Sequence, residues 1–327
     1  MKICFSGGSG HSGSVIAALS RLPGAEPAGY SKTYEEERMN AIRPLNLPEY
    51  PSLETMLDAV QPDILVSDGM FCRHTPDALV ALRRGIPVFC EKPVSVSLDQ
   101  FESLREALYP GAPLFWAMQT SRYMDSFYTA RLLVQEGAIG KIRMMNSQKS
   151  YQLGSRPAFF SHREQYGGTI PWVSIHAIDW MLWICGKRCR RVFSAQNSLD
   201  NRGNGSLEMT AVTLMELEDG ILAHVNTDYY RPSNSPTHGD DRLRVVGTDG
   251  ILEVRDNQVY LINSWNDGRN PQPLRQPPRL LFEDFVYALG GGTDCLITPK
   301  DSLYSTYVAL YAQESADLGK ALTIPEF

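Results

Sequence analysis

The first third of the chain alternates between short apolar runs and longer segments whose apolar residues recur at helical spacing. The apolar runs are typical of buried strands and lie at residues 2–6, 27–30, 64–66, 87–90 and 113–116. One intervening segment begins at Ser52, a residue type that caps helices, and another spans about 98–108. Strands separated by helices of this length predict a parallel, doubly wound sheet with right-handed crossovers. We therefore expect an α/β unit over residues 1–119.

Beyond residue 120 the apolar positions change to a period of two. After a helix near 124–136, alternating runs occur at 142–147, 209–217, 221–227, 243–246 and 251–254. Asp219-Gly220 and Asp249-Gly250 each join two of these runs, which is a strong hairpin signal. A long apolar helix, Ile175–Cys185, interrupts them, and residues 263–278, rich in Asn, Gly and Pro, predict a surface loop. Residues 120–327 are therefore expected to form an α+β domain with a large, mostly antiparallel open sheet. Its free face is suited to a homodimer or homotetramer.

Composition narrows the class of protein without naming a function. The 327 residues include 31 Lys and Arg against 37 Asp and Glu, so the net charge is −6, and 43% of residues are hydrophobic. This balance excludes a disordered chain, and the mild acidity disfavours a nucleic-acid partner. No segment offers the roughly 20 apolar residues of a membrane span, and the N-terminus lacks the pattern of a signal peptide. We expect a cytoplasmic protein that does not bind membranes.

The six cysteines do not predict a metal site. The closest pair, Cys185 and Cys189, lacks the C-x-x-C spacing, and no second pair or His doublet completes four ligands. We expect reduced thiols, mostly buried, and no metal.

A glycine-rich loop follows the first predicted strand and opens a helix. Gly8-x-Gly10-x-x-Gly13 has the spacing of a dinucleotide-binding loop, in which glycines let the backbone approach the pyrophosphate and free N–H groups bind it. A plain turn has similar residues, and the placement before a helix favours nucleotide binding. The loop residues expected at the cofactor are Gly8, Ser9, Gly10, His11, Ser12 and Gly13.

The end of the second strand bears on the choice between NAD and NADP. An acidic residue there binds a ribose 2′-hydroxyl, whereas a basic one accommodates a 2′-phosphate. Ser31 and Lys32 stand at this point, and no carboxylate lies between Tyr30 and Glu35. The sequence thus predicts a modest preference for NADP. The alternative is that Lys32 is merely solvated, with no role in cofactor binding, and that a helix begins at Glu35.

Cys90-Glu91-Lys92-Pro93 follows the predicted strand at 87–90. Ligands of such sheets bind at the carboxyl ends of the strands, so Glu91 and Lys92 are expected beside the cofactor. A lysine there can donate or accept a proton. A surface lysine is the alternative, because one tripeptide does not distinguish the two.

Taken together, the glycine loop, Glu91-Lys92-Pro93 after a later strand and an antiparallel second half resemble the Gfo/Idh/MocA oxidoreductases. That family includes glucose–fructose oxidoreductase and inositol dehydrogenase. The resemblance spans nearly the whole chain and extends to Arg122-Tyr123, residues 136–142, Gly167-Gly168, His176–Asp179 and Leu281–Phe285.

The resemblance implies a Rossmann-type nucleotide domain and hydride transfer between a nicotinamide and a hydroxyl-bearing carbon of a sugar, polyol or related molecule. Lys92 would hold or protonate the reacting oxygen, and His176 would be a second acid–base group or bind the substrate. Asp179, three residues after His176, would orient the imidazole or pair with a helix of the other domain.

Two positions depart from the family pattern. Trp172 stands where many of these sugar dehydrogenases carry an Asp one helical turn before the His, so it either stacks on a sugar or packs in the core. Asp68-Gly69 follows the strand at 64–66, where the family commonly has Thr-Pro before an Asn. That loop is expected to border the nicotinamide side of the cofactor, so Asp68 and Gly69 join the cofactor candidates.

The remaining substrate candidates are Arg122, Tyr151, His162 and Arg163, of which the last three precede Gly167-Gly168 and would form one wall of a pocket. The alternative is that Tyr151, His162 and Arg163 are ordinary residues of a surface loop.

Two further functions stay open. One is a non-catalytic NAD(P)-binding regulatory protein, and the other is a cofactor-retaining enzyme that cleaves glycosides.

Overall fold

The computed structural model describes all 327 residues, which form two compact units. The first unit comprises residues 1–119, 164–167 and 279–306, and the second comprises residues 120–163, 168–278 and 307–327. The segment 279–306, which lies in the second half of the sequence, therefore belongs with the first unit. The division into folding domains 1–119 and 120–327 stays a prediction.

Regular elements cover most of the chain. The strands are β1 (Lys2–Gly7), β2 (Glu26–Ser31), β3 (Glu49–Tyr50), β4 (Ile64–Asp68), β5 (Val88–Cys90), β6 (Phe115–Ala117), β7 (Ile142–Tyr151), β8 (Cys189–Asn197), β9 (Thr210–Leu217), β10 (Leu222–Asp228), β11 (Gly239–Gly247), β12 (Ile251–Arg255), β13 (Gln258–Ile262), β14 (Asp267–Pro271) and β15 (Leu322–Thr323). The α-helices are α1 (Gly13–Ala18), α2 (Leu53–Val60), α3 (His74–Arg83), α4 (Leu98–Ala107), α5 (Asp125–Gln135), α6 (Arg163–Tyr166), α7 (Ile175–Cys185), α8 (Leu281–Leu289) and α9 (Pro299–Leu318).

The first unit is built on a six-stranded sheet with the order β3-β2-β1-β4-β5-β6. Every pairing in it is parallel. This confirms the doubly wound parallel sheet. The strand order reverses between β1 and β4, and ligands of such sheets bind outside the carboxyl ends at that reversal.

Local sequence explains how individual helices of this unit begin and pack. The Ser52 hydroxyl accepts a hydrogen bond from the Thr55 N–H at 3.1 Å, so α2 starts with a side-chain cap as expected. Late in the chain, α8 brings aromatic rings onto the sheet. The Phe282 and Phe285 ring centroids lie 5.2 and 5.0 Å from that of Phe89 on β5.

The second unit is built on a nine-stranded sheet with the order β14-β13-β12-β11-β7-β10-β9-β8-β15. Only β7 and β10 pair in parallel, so the expected mostly antiparallel sheet is confirmed. The expectation of a loop throughout 263–278 is wrong at β14, an edge strand that pairs with β13. Its side chains are largely exposed, so they carry no apolar alternation that would reveal a strand.

Helix α7 has the bounds expected from the sequence and is buried from Ile175 to Ile184. The Trp180 ring stacks on Phe127 of α5 with centroids 4.3 Å apart, and its indole N–H donates to Ser147 Oγ of β7 at 2.8 Å. A five-residue π-helical turn, Ile170–Ser174, leads into α7, and Gly186 ends it with φ +64°. In this chain no helix combines the length and apolarity that crossing a membrane requires.

Candidate active site

Three loops that carry candidate residues leave the same edge of the parallel sheet. The glycine loop follows β1, Asp68 and Gly69 come at the end of β4, and Glu91 and Lys92 follow β5. Because these strands are parallel neighbours, their carboxyl ends meet at one edge. The first unit therefore brings the cofactor candidates and Lys92 together.

The Asp68 carboxyl group holds the backbone of the glycine loop. Asp68 is fully buried and accepts hydrogen bonds from the His11 N–H at 3.0 Å and the Ser12 N–H at 2.8 Å, and the Ser12 hydroxyl also donates to it. A Cβ added at Gly10 would collide with Asp68 Oδ1. Glycine is therefore required at this position to make room for the Asp68 carboxyl group, in addition to letting a pyrophosphate approach. Burial, followed by the nearby Glu91 charge, raises the pKa of Asp68 to about 8.

A second carboxylate, that of Glu37, binds the beginning of the loop. Its Oε1 accepts from the Gly8 N–H at 3.2 Å and the Ser9 hydroxyl at 2.9 Å. Its Oε2 accepts from the Thr33 N–H at 2.7 Å and the Thr33 hydroxyl at 2.9 Å. A carboxylate has about four acceptor positions, so these four donors use them all.

The third carboxylate links the loop to Lys92. Glu91 Oε2 lies 2.8 Å from His11 Nδ1, and Glu91 Oε1 lies 3.5 Å from Lys92 Nζ. The Glu91 side chain is fully buried and that of Lys92 is 3% exposed, whereas that of His11 is 36% exposed. Burial raises the pKa of Glu91, but His11 and Lys92 lower it more, so the net shift is downward. The Glu91 carboxylate thus links His11 of the glycine loop to Lys92.

The edge fits a dinucleotide in backbone shape. The loop turns directly after β1, Ser9 and Gly10 are exposed at its tip, and Gly7 has φ +77° at the turn. In charge, the loop fits a pyrophosphate when Asp68 is protonated, because an ionised Asp68 would compete with the pyrophosphate for the His11 and Ser12 N–H groups.

On the adenosine side of the expected site, Lys32 is bound to Glu49 Oε1 at 3.1 Å. Ser31 is buried at the end of β2, and the chain after it turns without the helix considered for Glu35.

His176 lies at the first turn of α7 in the second unit and is 5% exposed. Its Nδ1 is 3.5 Å from Ser121 Oγ. Asp179, on the same helix, forms a buried fork with Arg122, with Asp179 Oδ2 at 3.0 Å from Nε and Oδ1 at 2.8 Å from Nη2. Asp179 thus pairs with the guanidinium of Arg122, which belongs to the same unit.

Other substrate candidates have packing partners in the second unit. The Trp172 ring is partly buried in the π-helical turn, edge-on to Phe160 with centroids 6.1 Å apart. Arg163 is ion-paired with Glu208 and, at 2.9 Å, with Asp317. His162 is exposed beside it. These three side chains therefore lie in or next to a structural network.

Tyr151 lines a cavity of about 480 Å³ within the second unit. Its ring stacks on His238 with centroids 4.7 Å apart, and Lys149 Nζ lies 4.9 Å from the Tyr151 centroid. Lys149 Nζ is also 2.6 Å from Asp241 Oδ2, whereas Asp241 Oδ1 is buried with no hydrogen-bond partner. The cavity wall thus combines aromatic surface with charged side chains, a lining suited to a hydroxylated ligand.

The sequence did not single out Glu37, Lys149 or Asp241. For Lys149 a signal existed, because Met145, Ser147 and Lys149 alternate along β7 and place the lysine on the inward face. Glu37 binds residues 29 positions away, and no local pattern encodes such a contact.

Comparison with known protein families is consistent with this arrangement. Residues 2–109 match the family model described as "Oxidoreductase family, NAD-binding Rossmann fold", and residues 127–253 match the "GFO/IDH/MocA C-terminal domain". The chain belongs to the Gfo/Idh/MocA oxidoreductase family. Membership assigns the protein to the NAD(P)-dependent dehydrogenases, with an NAD-binding first domain.

Individual relatives show how far the similarity extends. An oxidoreductase structure from Thermotoga maritima has 40% identity and a TM-score of 0.94, covering 99% of this chain and 100% of its own. Inositol 2-dehydrogenase 2 of Saccharopolyspora erythraea is 24% identical over 274 residues, 84% of this chain and 74% of the relative. Levoglucosan dehydrogenase, solved with NADH and L-sorbose, has the same fold at 14% identity, with a TM-score of 0.82 and coverage of 100% and 99%.

Proposed function

We propose that the protein transfers hydride between a nicotinamide cofactor and a hydroxyl-bearing carbon of a sugar or polyol. The observation that carries this proposal is the buried Lys92 amino group, which lies at the sheet edge shared with the glycine loop. The carboxyl ends of parallel strands are where such folds bind cofactor and substrate. The bound cofactor supplies the hydride chemistry, and the chain supplies position and proton transfer.

Lys92 is the group that handles the proton. An alcohol carbon that gives up a hydride must also lose its hydroxyl proton, which the neutral Lys92 amine would take up. In the reverse direction, the ammonium returns the proton to the carbonyl oxygen. Glu91, through its 3.5 Å contact, fixes the Lys92 head group.

In the second unit we assign His176 as the second acid–base or substrate-binding group, as the family resemblance implies. Its contact with Ser121 Oγ positions the ring. Asp179 and Arg122 are proposed to hold α7 in place through their ion pair, without touching substrate.

The substrate class is supported by the cavity beside Tyr151. Stacking on aromatic faces and hydrogen bonding to the charged side chains that line the cavity both suit a polyol. Trp172 is retained as a sugar-stacking candidate, and His162 and Arg163 as rim candidates. Relatives named inositol 2-dehydrogenase 2 and levoglucosan dehydrogenase point to the same class.

The test is a spectrophotometric assay for reduced cofactor, with NAD⁺ and NADP⁺ each offered with a panel of cyclitols, aldoses and anhydrosugars. We expect turnover with at least one polyol. Tight cofactor binding without turnover on any member of the panel would favour a regulatory protein. Cleavage of an aryl glycoside without net reduced cofactor would favour the glycoside-cleaving alternative.

NADPH is expected to bind more tightly than NADH by about threefold to tenfold, the effect of roughly 1 kcal/mol from an exposed cation. Lys32 provides the charge for a 2′-phosphate, and Glu37 has no acceptor position left for a ribose hydroxyl. Fluorescence titration gives both dissociation constants. Lys32→Ala should weaken NADPH alone, and tighter NADH binding by the unaltered protein would contradict the preference.

A homodimer or homotetramer is proposed from the open face of the large sheet. Phe193, Val212, Leu214 and Leu222 are 41–58% exposed on three neighbouring strands, and Phe193 lies directly opposite Leu214. An apolar patch of this kind on a regular sheet is typical of an interface. Leu214→Glu should therefore yield a monomer in multi-angle light scattering, whereas Leu199→Glu, in an exposed loop, should leave the assembly intact. A monomeric unaltered protein would refute the interface.

A further inference from the structure

We propose that Asp68 is an affinity-determining residue of the dinucleotide site: the cofactor's pyrophosphate binds when the Asp68 carboxyl group is protonated, and the ionised carboxylate excludes it. Binding of the cofactor therefore takes up a proton. This inference rests on the proposed function, since it takes cofactor binding by the glycine loop as given.

The competition follows from the hydrogen bonds of the loop. A pyrophosphate at a glycine-rich loop is held by backbone N–H groups at the start of the following helix. In this chain the His11 and Ser12 N–H groups, at that position, donate to Asp68 Oδ1 and Oδ2 at 3.0 and 2.8 Å. Asp68 is fully buried beneath the loop, so an ionised carboxylate there stays close to any anion that the loop binds.

Protonation changes what Asp68 can do. An ionised carboxylate only accepts hydrogen bonds, whereas the acid has one O–H donor. The carboxyl oxygen that carries the proton is a weaker hydrogen-bond acceptor. The backbone N–H that donated to it therefore becomes available to a phosphate oxygen. The like-charge repulsion is removed in the same step.

The charged surroundings hold little that would neutralise an ionised Asp68. The titratable groups around Asp68 and its loop are Glu91, Glu37, Cys90, His11, Lys92 and His74, whose Nε2 lies 3.2 Å from Gly69 O. Lys92 and the His11 ring both contact Glu91, burial lowers the pKa of His74 and so favours its neutral form, and burial raises the pKa of the Cys90 thiol well above 9. Burial and Glu91 together raise the pKa of Asp68 to about 8, so the switch between its two forms falls within an accessible pH range.

The experiment follows NADH binding by fluorescence between pH 7 and pH 9.5, a range in which NADH keeps its charge. With a controlling pKa of about 8, the dissociation constant of the unaltered protein should rise about tenfold from pH 7 to pH 9. In Asp68→Asn it should stay within about twofold over the same interval. Asp68→Ser, a smaller neutral side chain, provides a second variant should the amide disturb the loop.

Calorimetry provides a readout that needs no substitution. Titration at pH 9 in two buffers of different ionisation enthalpy should show nearly one proton taken up per NADH bound by the unaltered protein, and none by Asp68→Asn. Asp77→Asn is the matched control, because Asp77 is also a buried carboxyl group of this unit with a raised pKa, but it bonds Ser6 and Arg73 instead of the loop. This control should keep the pH dependence of the unaltered protein.

The outcomes separate the inference from the proposed function. NADH binding that is independent of pH and takes up no proton overturns the inference and leaves the function standing. A pH dependence that survives in both Asp68 variants overturns it equally. If neither the unaltered protein nor any variant binds NADH or NADPH at any pH, the proposed function fails, and the inference fails with it.

Discussion

Replacing Lys92 with Met is expected to lower kcat by about 10²–10⁴, the usual contribution of a positioned acid or base, while cofactor affinity changes only a few-fold. Met keeps the length and packing of the buried stem but can neither hold nor release a proton. The measurement is steady-state turnover on the best substrate of the panel, together with NADPH titration.

Lys92→Arg separates proton transfer from simple charge. The guanidinium keeps the positive charge beside Glu91 but does not deprotonate in the working range of an enzyme. If Lys92 acts as an acid–base group, Lys92→Arg should be nearly as inactive as Lys92→Met. Substantial activity in Lys92→Arg would reduce the role of Lys92 to electrostatic binding, and full activity in Lys92→Met would refute the mechanism.

The second large effect concerns stability. Asp179→Asn should lower the free energy of unfolding by about 3–5 kcal/mol, because it leaves the Arg122 charge buried without its counter-ion. Arg122 and Asp179 side chains are only 3% and 5% exposed, so water cannot replace the lost partner. Chemical denaturation monitored by tryptophan fluorescence measures the change.

A double replacement tests whether the loss comes from the orphaned charge. Arg122→Met combined with Asp179→Leu should recover much of the stability, since well-packed apolar residues often replace a buried ion pair without net loss. The exposed Arg275–Glu136 pair provides the comparison, and Glu136→Gln should lower the free energy of unfolding far less than Asp179→Asn does. If Asp179→Asn left stability unchanged but abolished turnover, Asp179 would belong to the catalytic machinery.

The sequence predicted those parts of the fold that local patterns encode. Helix α7 has the predicted bounds because an apolar run ends at Gly186, which supplies the left-handed conformation after the last turn. Five strands of the first unit appeared as short apolar runs and five of the second through alternation, whereas β3, β8, β13, β14 and β15 were not predicted. Strand β14 escaped because an exposed edge strand is held by backbone hydrogen bonds that need no apolar side chains.

In the candidate site, the sequence identified positions but not partners. Asp68 was recognised as a departure from the family pattern, yet its bonds to His11 and Ser12 join segments 56–57 residues apart. Asp179 was expected to face His176 or a helix of the other domain, because helical spacing cannot reveal Arg122 from another segment. Contacts distant in sequence are fixed by the packed fold, and short-range periodicity carries no record of them.

The late arrival of α8 in the chain has a consequence during protein synthesis. Its Phe285 lies 5.0 Å from Phe89 and 5.7 Å from Trp116, ring centroid to centroid, so it covers aromatic surface of β5 and β6. Strand β6 is complete at residue 117, whereas α8 ends at residue 289, a difference of 172 residues. At about 5–20 residues per second, a ribosome needs roughly 10–35 s to bridge this interval. For that time the nascent sheet exposes an aromatic face, and it is then that the growing chain is most open to chaperones and to misassembly with its neighbours.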